Sequence, residues 1–341
     1  MSAGTPLLPF HEAHARFLTD FAGWRLPLHY GSIVEEAKAV RAHAGIFDVS
    51  HMGRLWLPAG DEAVLQWLTT NDVTRLRPGH GQYTIFCTDS GGTVDDAIVS
   101  KLGDRFLLVC NASNRERVRN ELVTAGASPE DWTVGSGMAA LQGPATAELV
   151  GKFGLPLPPR FGVEADGALL VARTGYTGAD GVEIMGPGDA VAALWDDLVA
   201  AGAAPAGLGA RDTLRIEVGY PLYGHELADD ISPLEADVGF AVKLDGPPFR
   251  GQEALLAQQV AGHRRLAGIV SAEPRRVPRQ DEPLTDAAGT LGVVTSGCFS
   301  PHRDSGIGLA LLEREPQGDV HVTRRDGPGL VAVEGLPLVR R

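Results

Sequence analysis

The stretch Gly91-Gly92-Thr93-Val94-Asp95-Asp96-Ala97-Ile98-Val99 places two adjacent carboxylates inside an apolar run that has the character of a β-strand. Asp is rare in strands because its short charged side chain packs poorly and is costly to remove from water. Successive strand residues point to opposite faces, so one Asp is expected to face an interior cavity while its neighbour faces solvent. The alternative is a hairpin end, with both carboxylates on the surface.

Composition and charge limit the class of protein. A chain of 341 residues is too long for one ordinary core, so two or three domains are expected. No apolar run approaches the roughly 20 residues that a membrane helix needs. The net charge of −13 argues against a nucleic-acid-binding protein. Short basic clusters, such as Arg275-Arg276 and Arg324-Arg325, are typical of a solvated surface.

The cysteines and the first residues indicate a compartment. Cys87, Cys110 and Cys298 lie far apart without metal-ligand spacing, which is typical of buried free thiols in a reducing compartment. The segment Met1–Pro6 has the features of neither a signal peptide nor a transit peptide. We therefore predict a cytoplasmic protein that has no metal site.

Hydrophobic periodicity predicts mixed helices and strands. The predicted helices are Ile33–Arg41, a helix capped by Asp61, a helix that begins at a capping box over Ser113–Glu116, a helix capped by Asp189, and Ala210–Val218. The predicted strands are Tyr83–Cys87, Val94–Leu102, Phe106–Cys110, Met138–Gln142 and Ala168–Thr174. From about residue 264, short strands alternate with Gly/Pro turns, which indicates a small β-rich terminal domain.

Four motifs accompany Gly91–Val99 along the chain. They are Phe47–Met52, Arg173–Glu183, Gly207–Glu217 and Thr295–Pro301. In this order and at these spacings, the five motifs resemble the T-protein of the glycine cleavage system, an aminomethyltransferase that uses tetrahydrofolate. The resemblance begins at Thr5-Pro6-Leu7 and ends at Leu336-Pro337-Leu338, so it covers nearly the whole chain. Each motif alone is weak, and five in order argue against chance agreement.

The resemblance implies an α+β multidomain fold, a T-protein-like cloverleaf of three domains with a small β-rich C-terminal domain. Residues 1–50 plus 135–250 are expected to form a discontinuous folate-binding domain, with an α+β domain of residues 51–134 inserted into it. Residues 260–341 are expected to form the C-terminal domain. Local patterning supports the limits of the inserted domain, whereas the cloverleaf rests on the resemblance alone.

The resemblance assigns the catalytic role to Asp96, the second residue of the aspartate pair. In the resembling enzymes this Asp lies near the N5–N10 region of folate and promotes attack by N5 on an aminomethyl carbon. An ionised carboxylate there orients the amine and stabilises positive charge as ammonia leaves. Without the resemblance, a surface position for Asp96 is favoured.

The resemblance also implies a folate-binding site. Glu183 suits the 2-amino-pyrimidinone edge of a pterin, because a carboxylate accepts two parallel N–H hydrogen bonds. Arg211 lies near a predicted helix start, where a cation is electrostatically unfavourable, and the resemblance assigns it to folate binding. The remaining folate-binding positions are Asn111, Tyr176, Met52, Tyr83, Tyr220 and Phe240. Phe240 departs from the family, whose members commonly carry Trp there.

Each of these residues also has an ordinary structural interpretation. Glu183 alone would be an outward-facing strand residue, and Arg211 a solvated neighbour of Asp212. Met52 and Tyr83 alone would be core residues. His51 lacks the Gly-x-Ser-x-Gly elbow of a catalytic triad and is expected to be a structural histidine whose hydrogen bonds are satisfied.

The implied function is transfer of the methylene unit of an S-aminomethyl-dihydrolipoyl group to tetrahydrofolate, with release of ammonia. Tetrahydrofolate is the co-substrate, lipoylated H-protein is the partner, and neither nucleic acid nor membrane is involved. One alternative is a tetrahydrofolate-dependent demethylase of a small O-, S- or N-methyl compound. Another is a non-enzymatic folate-binding or iron–sulfur assembly factor, whose Lys-Gly-Cys-Tyr-type motif this sequence lacks.

Overall fold

A computed structural model describes residues 2–323 and 327–340, so the predicted basic pair Arg324-Arg325 lies outside the described residues. By contact the chain divides into two compact units. The first comprises Met1–Gln66, Asp72–Thr84 and Ala97–Arg211. The second comprises Trp67–Asn71, Ile85–Asp96 and Asp212–Arg341. The three-domain division expected from the sequence stays a prediction.

Within the described residues the chain forms eight α-helices and twenty strands. The helices are α1 (Leu8–His14), α2 (Ile33–Ala42), α3 (Glu62–Leu68), α4 (Arg115–Thr124), α5 (Thr146–Lys152), α6 (Gly188–Ala200), α7 (Leu208–Val218) and α8 (Gln252–Ala261). The strands are β1 (Ala3–Gly4), β2 (Phe17–Phe21), β3 (Trp24–His29), β4 (Gly45–Asp48), β5 (Gly53–Pro58), β6 (His80–Cys87), β7 (Thr93–Leu102), β8 (Arg105–Cys110), β9 (Glu130–Asp131), β10 (Ser136–Gln142), β11 (Val163–Asp166), β12 (Leu169–Ala172), β13 (Gly181–Pro187), β14 (Ala204–Pro205), β15 (Arg265–Ser271), β16 (Pro283–Asp286), β17 (Gly289–Ser300), β18 (Ser305–Leu312), β19 (Val320–Val322) and β20 (Gly329–Glu334). In this part of the chain, no helix is long and apolar enough to cross a membrane.

The strands form four sheets. A three-stranded sheet has the order β1-β3-β2, a six-stranded sheet the order β11-β12-β13-β10-β4-β14, and a five-stranded sheet the order β6-β7-β8-β5-β9. The last six strands close into a barrel, β15-β18-β17-β16-β19-β20. This barrel confirms the predicted β-rich C-terminal region, and the mixture of helices and sheets confirms the predicted α+β class.

The core of the first unit lies between α6 and the six-stranded sheet. Val191, Leu194 and Leu198 recur along one face of α6 and are buried, as their spacing predicts. Trp195 on the same helix is fully buried. All seven residues of β10 are buried because the strand runs between β13 and β4 in the interior of the sheet.

Strand β18 of the barrel is buried along its whole length. Ala310 and Leu312 face the barrel interior, whereas Ile307, Leu309 and Leu311 belong to a second cluster on the outside. That second cluster includes Ile216 of α7 and Leu338 near the chain end. Because side chains alternate between the two faces of a strand, β18 contributes both to the barrel interior and to the cluster outside it.

Two predicted helix caps are wrong. A 3₁₀ turn over Ala112–Asn114 precedes α4, and the Asn114 N–H donates to the Asn111 carbonyl, so Ser113 does not occupy the cap position. Asp189 lies inside the first turn of α6, where its carboxylate accepts from the Ala190 N–H, and Pro187 precedes the helix. In both places the residue before the helix, Asn114 or Pro187, makes no side-chain cap hydrogen bond.

Candidate active site

The connection between β4 and β5, Val49–Met52, is fixed by a buried carboxylate. Asp48 Oδ1 accepts from the Ser50 N–H at 2.9 Å, while Oδ2 accepts from the Thr5 hydroxyl at 2.6 Å and pairs with His11 Nε2 at 2.8 Å. Burial alone would raise the pKa of Asp48, but the hydrogen bonds from His11, Ser50 and Thr5 outweigh it and hold this pKa below its usual value. Asp48 therefore stays ionised inside the fold.

His51 lies in this connection and differs from the prediction of a satisfied structural histidine. Its side chain is buried, and Nδ1 has no hydrogen-bond partner among the residues that the structure describes. Burial and then the charge of Arg211 lower the pKa of His51 to about 3, so the imidazole is neutral at physiological pH. The ring of Phe21 meets it edge-on, with centroids 5.5 Å apart.

Met52 and Asn111 lie at the same end of the β5–β8 pair. Gly53 pairs with Cys110, Met52 precedes Gly53, and Asn111 follows Cys110. A Cβ atom on Gly53 would lie 2.6 Å from the Cys110 sulfur, so the close approach of the two strands requires glycine there. Both the Met52 and the Asn111 side chains are half-buried. The first unit thus brings together two of the predicted folate-binding residues.

Glu183 lies in β13 opposite Ala140 of β10 and Ala172 of β12. Its carboxylate is half-buried and accepts a short hydrogen bond from the Thr174 hydroxyl. The directly opposite neighbours on both sides are alanines, which leave room over the carboxylate on that face of the sheet. This surrounding differs from that of an outward-facing strand residue in open solvent.

The Arg211 guanidinium lies over the ring of Tyr176, 4.6 Å from its centroid. This cation–π contact offsets the unfavourable position of a cation in the first turn of α7. Tyr176 belongs to the loop between β12 and β13, which Arg173 closes by donating to both carboxylate oxygens of Asp180 at 3.1 and 2.7 Å. A closed loop of this kind can hold an aromatic face in one place.

Gln142 binds the loop between β12 and β13, and sequence reasoning missed it. Its side chain is fully buried at the end of β10, where Nε2 donates to the Thr174 carbonyl and Oε1 accepts from the Thr177 hydroxyl. Cβ atoms on Gly175 and Gly181 would lie 2.0 and 2.3 Å from this amide. The sequence feature that could have identified Gln142 is its position at the end of an otherwise apolar strand.

The remaining predicted residues are distributed over both units. Tyr83 is half-buried in β6 of the first unit. In the second unit Asp95 is fully buried and Asp96 half-buried, which corrects the expectation that the neighbour of Asp96 faces solvent. Tyr220 follows α7, and its N–H donates to the Arg215 carbonyl. Phe240 is 66% exposed.

In the described part of the chain, no group of three or more His, Cys, Asp or Glu side chains is placed to hold a metal ion.

Comparisons with known proteins agree along the whole chain. The GCVT N-terminal domain model matches residues 7–246, and the model of the glycine cleavage T-protein C-terminal barrel domain matches residues 264–335. An aminomethyltransferase of Frankia alni is 42% identical over 98% of this chain and 97% of its own length. One from Rubrobacter xylanophilus is 43% identical over 99% of this chain and 94% of its own.

A solved structure supports the same assignment. The crystal structure of the glycine cleavage system aminomethyltransferase T from Bartonella henselae matches with a TM-score of 0.92 and 31% identity, over 99% of this chain and 98% of that chain. Sequence models, full-length relatives and fold therefore agree, and the chain belongs to the glycine cleavage T-protein family of aminomethyltransferases.

Proposed function

We propose that this protein is the aminomethyltransferase of a glycine cleavage system. The reaction transfers the methylene carbon of an S-aminomethyl-dihydrolipoyl group on H-protein to tetrahydrofolate. Ammonia and the dihydrolipoyl thiol are released. The observation that carries the proposal is the match over nearly the full length to relatives named aminomethyltransferase. The relatives and the family do not favour the alternative of a small-molecule demethylase.

Tetrahydrofolate is the proposed co-substrate, and the surroundings of Glu183 fit a pterin. A half-buried carboxylate between two alanines can accept two N–H hydrogen bonds from a flat heterocycle without a steric conflict. Asn111 contributes an amide that both donates and accepts, and Met52 beside it supplies an apolar contact. Arg211 supplies positive charge for a carboxylate of the folate tail, held by the face of Tyr176.

The remaining residues extend this proposed site. Tyr83, Tyr220 and Phe240 are proposed to contact the folate as aromatic surfaces. Asp96 is proposed to orient the attacking amine and to stabilise positive charge while the amine bonds to the transferred carbon. The protein then contributes positioning and electrostatics, and the folate contributes the nucleophile. The lipoylated H-protein is the proposed partner, and a cytoplasmic location stays a prediction.

Ammonia release from aminomethylated H-protein tests the proposal. We expect purified enzyme to release ammonia and form methylenetetrahydrofolate only when tetrahydrofolate is present. A folded enzyme that binds tetrahydrofolate but releases no ammonia from aminomethylated H-protein contradicts it. Methyl transfer from a small methylated compound in the same preparation would then identify the enzyme as a demethylase.

A further inference from the structure

Arg54 is a fully buried arginine in β5, and among the described residues its side chain donates only to neutral oxygens. Its Nη1 donates to the Met52 carbonyl at 2.7 Å, and its Nη2 donates to the carbonyls of Ser50 at 3.1 Å and Thr133 at 2.9 Å. Its Nε donates to the Ser136 hydroxyl at 3.0 Å. The planar guanidinium thus ties the β4–β5 connection to the segment that enters β10.

Burial of the Arg54 charge is unfavourable in free energy. Burial lowers the pKa of Arg54 to about 10, yet the group stays charged at neutral pH. A leucine at this position would remove the buried charge but would leave these oxygens without their donors. The planar guanidinium therefore fits the positions of these oxygens. A lysine ammonium, which is a single point charge, could not donate to them in the same geometry.

The connection is also fixed from its other side. Val49 N–H donates to the Met138 carbonyl at 3.0 Å, and the Ser50 hydroxyl accepts from the Met138 N–H at 2.9 Å. With Arg54 bound to the carbonyls of Ser50 and Met52, the backbone of the connection is held from both sides. The orientation of the Met52 side chain then depends on this backbone.

We propose that Arg54 is a positioning residue for folate binding, which fixes the Ser50–Met52 backbone and thereby holds Met52 beside Asn111 for the ligand. This inference rests on the proposed function, because Met52 and Asn111 matter only if the protein binds a folate. Arg54 acts through the connection and contacts no substrate. Its loss is therefore expected to weaken ligand binding and to leave the chemical step at saturating ligand unchanged.

Methionine-methyl NMR observes the connection directly, since the chain contains only four methionines. In protein labelled with ¹³C-methyl methionine, Arg54→Leu should move or broaden the Met52 signal, which Met52→Leu identifies. The Met185 signal, from a buried residue of β13, should stay in place. Arg54→Lys keeps the charge without the planar fork and should give an intermediate result.

Tetrahydrofolate binding and turnover complete the test. Arg54→Leu should bind tetrahydrofolate about tenfold more weakly, the cost of ordering one or two side chains on binding. It should raise KM for tetrahydrofolate while kcat and the KM for H-protein stay near wild type. Leu198→Ala on α6 is the matched control, because it removes buried contacts away from this connection and should lower Tm without changing KM.

The outcomes separate the two proposals. Wild-type protein that binds no tetrahydrofolate overturns the proposed function, and the Met52 signal still decides whether Arg54 orders the connection. Wild-type affinity and an unmoved Met52 signal in folded Arg54→Leu overturn the positioning role. If Arg54→Leu does not fold, the same two results in Arg54→Lys overturn it.

Discussion

Asp95 and Asp96 are adjacent in β7 but have different surroundings, since Asp95 is fully buried and Asp96 half-buried. We expect Asp96→Asn to lower turnover by about 10²-fold or more, the usual contribution of a positioned acid or base, with tetrahydrofolate affinity little changed. Asp95→Asn should instead cost about 1–3 kcal/mol of stability, because it changes the hydrogen bonding of a buried polar group. Ammonia release and urea unfolding measure the two effects. Equal losses of turnover in both variants contradict this assignment.

His51 predicts a pH dependence of stability. Its pKa is about 3 in the folded protein and near 6.5 in the unfolded chain, so the unfolded chain binds the extra proton below pH 6.5. The contribution of neutral His51 to the free energy of unfolding is therefore fully present above pH 6.5. It falls as the pH decreases, by about 2 kcal/mol at pH 5. His51→Asn should remove this part of the loss. Urea unfolding at pH 7, 6 and 5 measures it, and parallel pH profiles of the two proteins contradict it.

Some residues of the proposed site could be chosen from the sequence alone. Glu183 and Arg211 were chosen because they stand in motifs, and Asn111 because it matches a family position at the end of the Phe106 strand. Gln142 and Arg54 act through backbone carbonyls of other segments, and these contacts exist only after the chain has folded. A sequence pattern contains no information on which carbonyl lies next to a given side chain, so both residues were missed.

At the scale of elements, the turn before β7 depends on Gly92. A Cβ atom there would lie 1.8 Å from the Asp229 carbonyl oxygen, and the next residue, Thr93, donates its N–H to the carbonyls of Ala228 and Ile231 at 2.8 and 3.1 Å. Gly92→Ala should therefore displace this segment and cost about 1–3 kcal/mol. Gly60→Ala, with open space around its Cβ, is the control. Similar unfolding midpoints for the two variants in urea contradict the close-approach argument.

The helices and strands themselves were largely predictable, because burial imposes a period on the sequence. The alternation in β7 and the helical spacing in α6 were both identified from the order of apolar residues. The two helix caps were not, since Asn114 and Pro187 enter their helices without a side-chain cap. A cap depends on the conformation of one residue, which its neighbours in sequence do not fix.

At the scale of the whole chain, closure of the barrel was beyond the sequence pattern. Short strands separated by Gly/Pro turns predict a β-rich region, but β15 pairs with both β18 and β20, and that pairing closes the barrel. Strand order depends on contacts between residues far apart in sequence. The sequence pattern predicted a β-rich domain there without a closed barrel, and the model of the C-terminal barrel domain matches residues 264–335.

One buried ion pair joins three distant segments of the second unit. Arg215 of α7 is 1% exposed and donates to Glu226 at 2.8 Å and to the Ser296 hydroxyl of β17 at 2.7 Å. Glu226 is fully buried and also accepts from the Ser296 hydroxyl at 2.6 Å. The helix, the loop after it and the barrel are therefore linked through one pair of charges.

Removing one partner of this pair should be worse than removing both. Glu226→Gln removes the buried counter-charge of Arg215 and leaves it the half-exposed Asp212, whose Oδ1 lies 2.8 Å from Nε, so this variant should cost about 1–3 kcal/mol. The double variant Arg215→Met/Glu226→Leu replaces both charges by apolar groups and should be less destabilised than the single variant. Glu148→Gln, from the exposed pair with Lys152, is the control and should leave stability unchanged. Urea unfolding measures all three. A double variant that is less stable than Glu226→Gln would mean that the hydrogen bonds to Ser296 and the backbone, more than charge balance, hold α7 to the barrel.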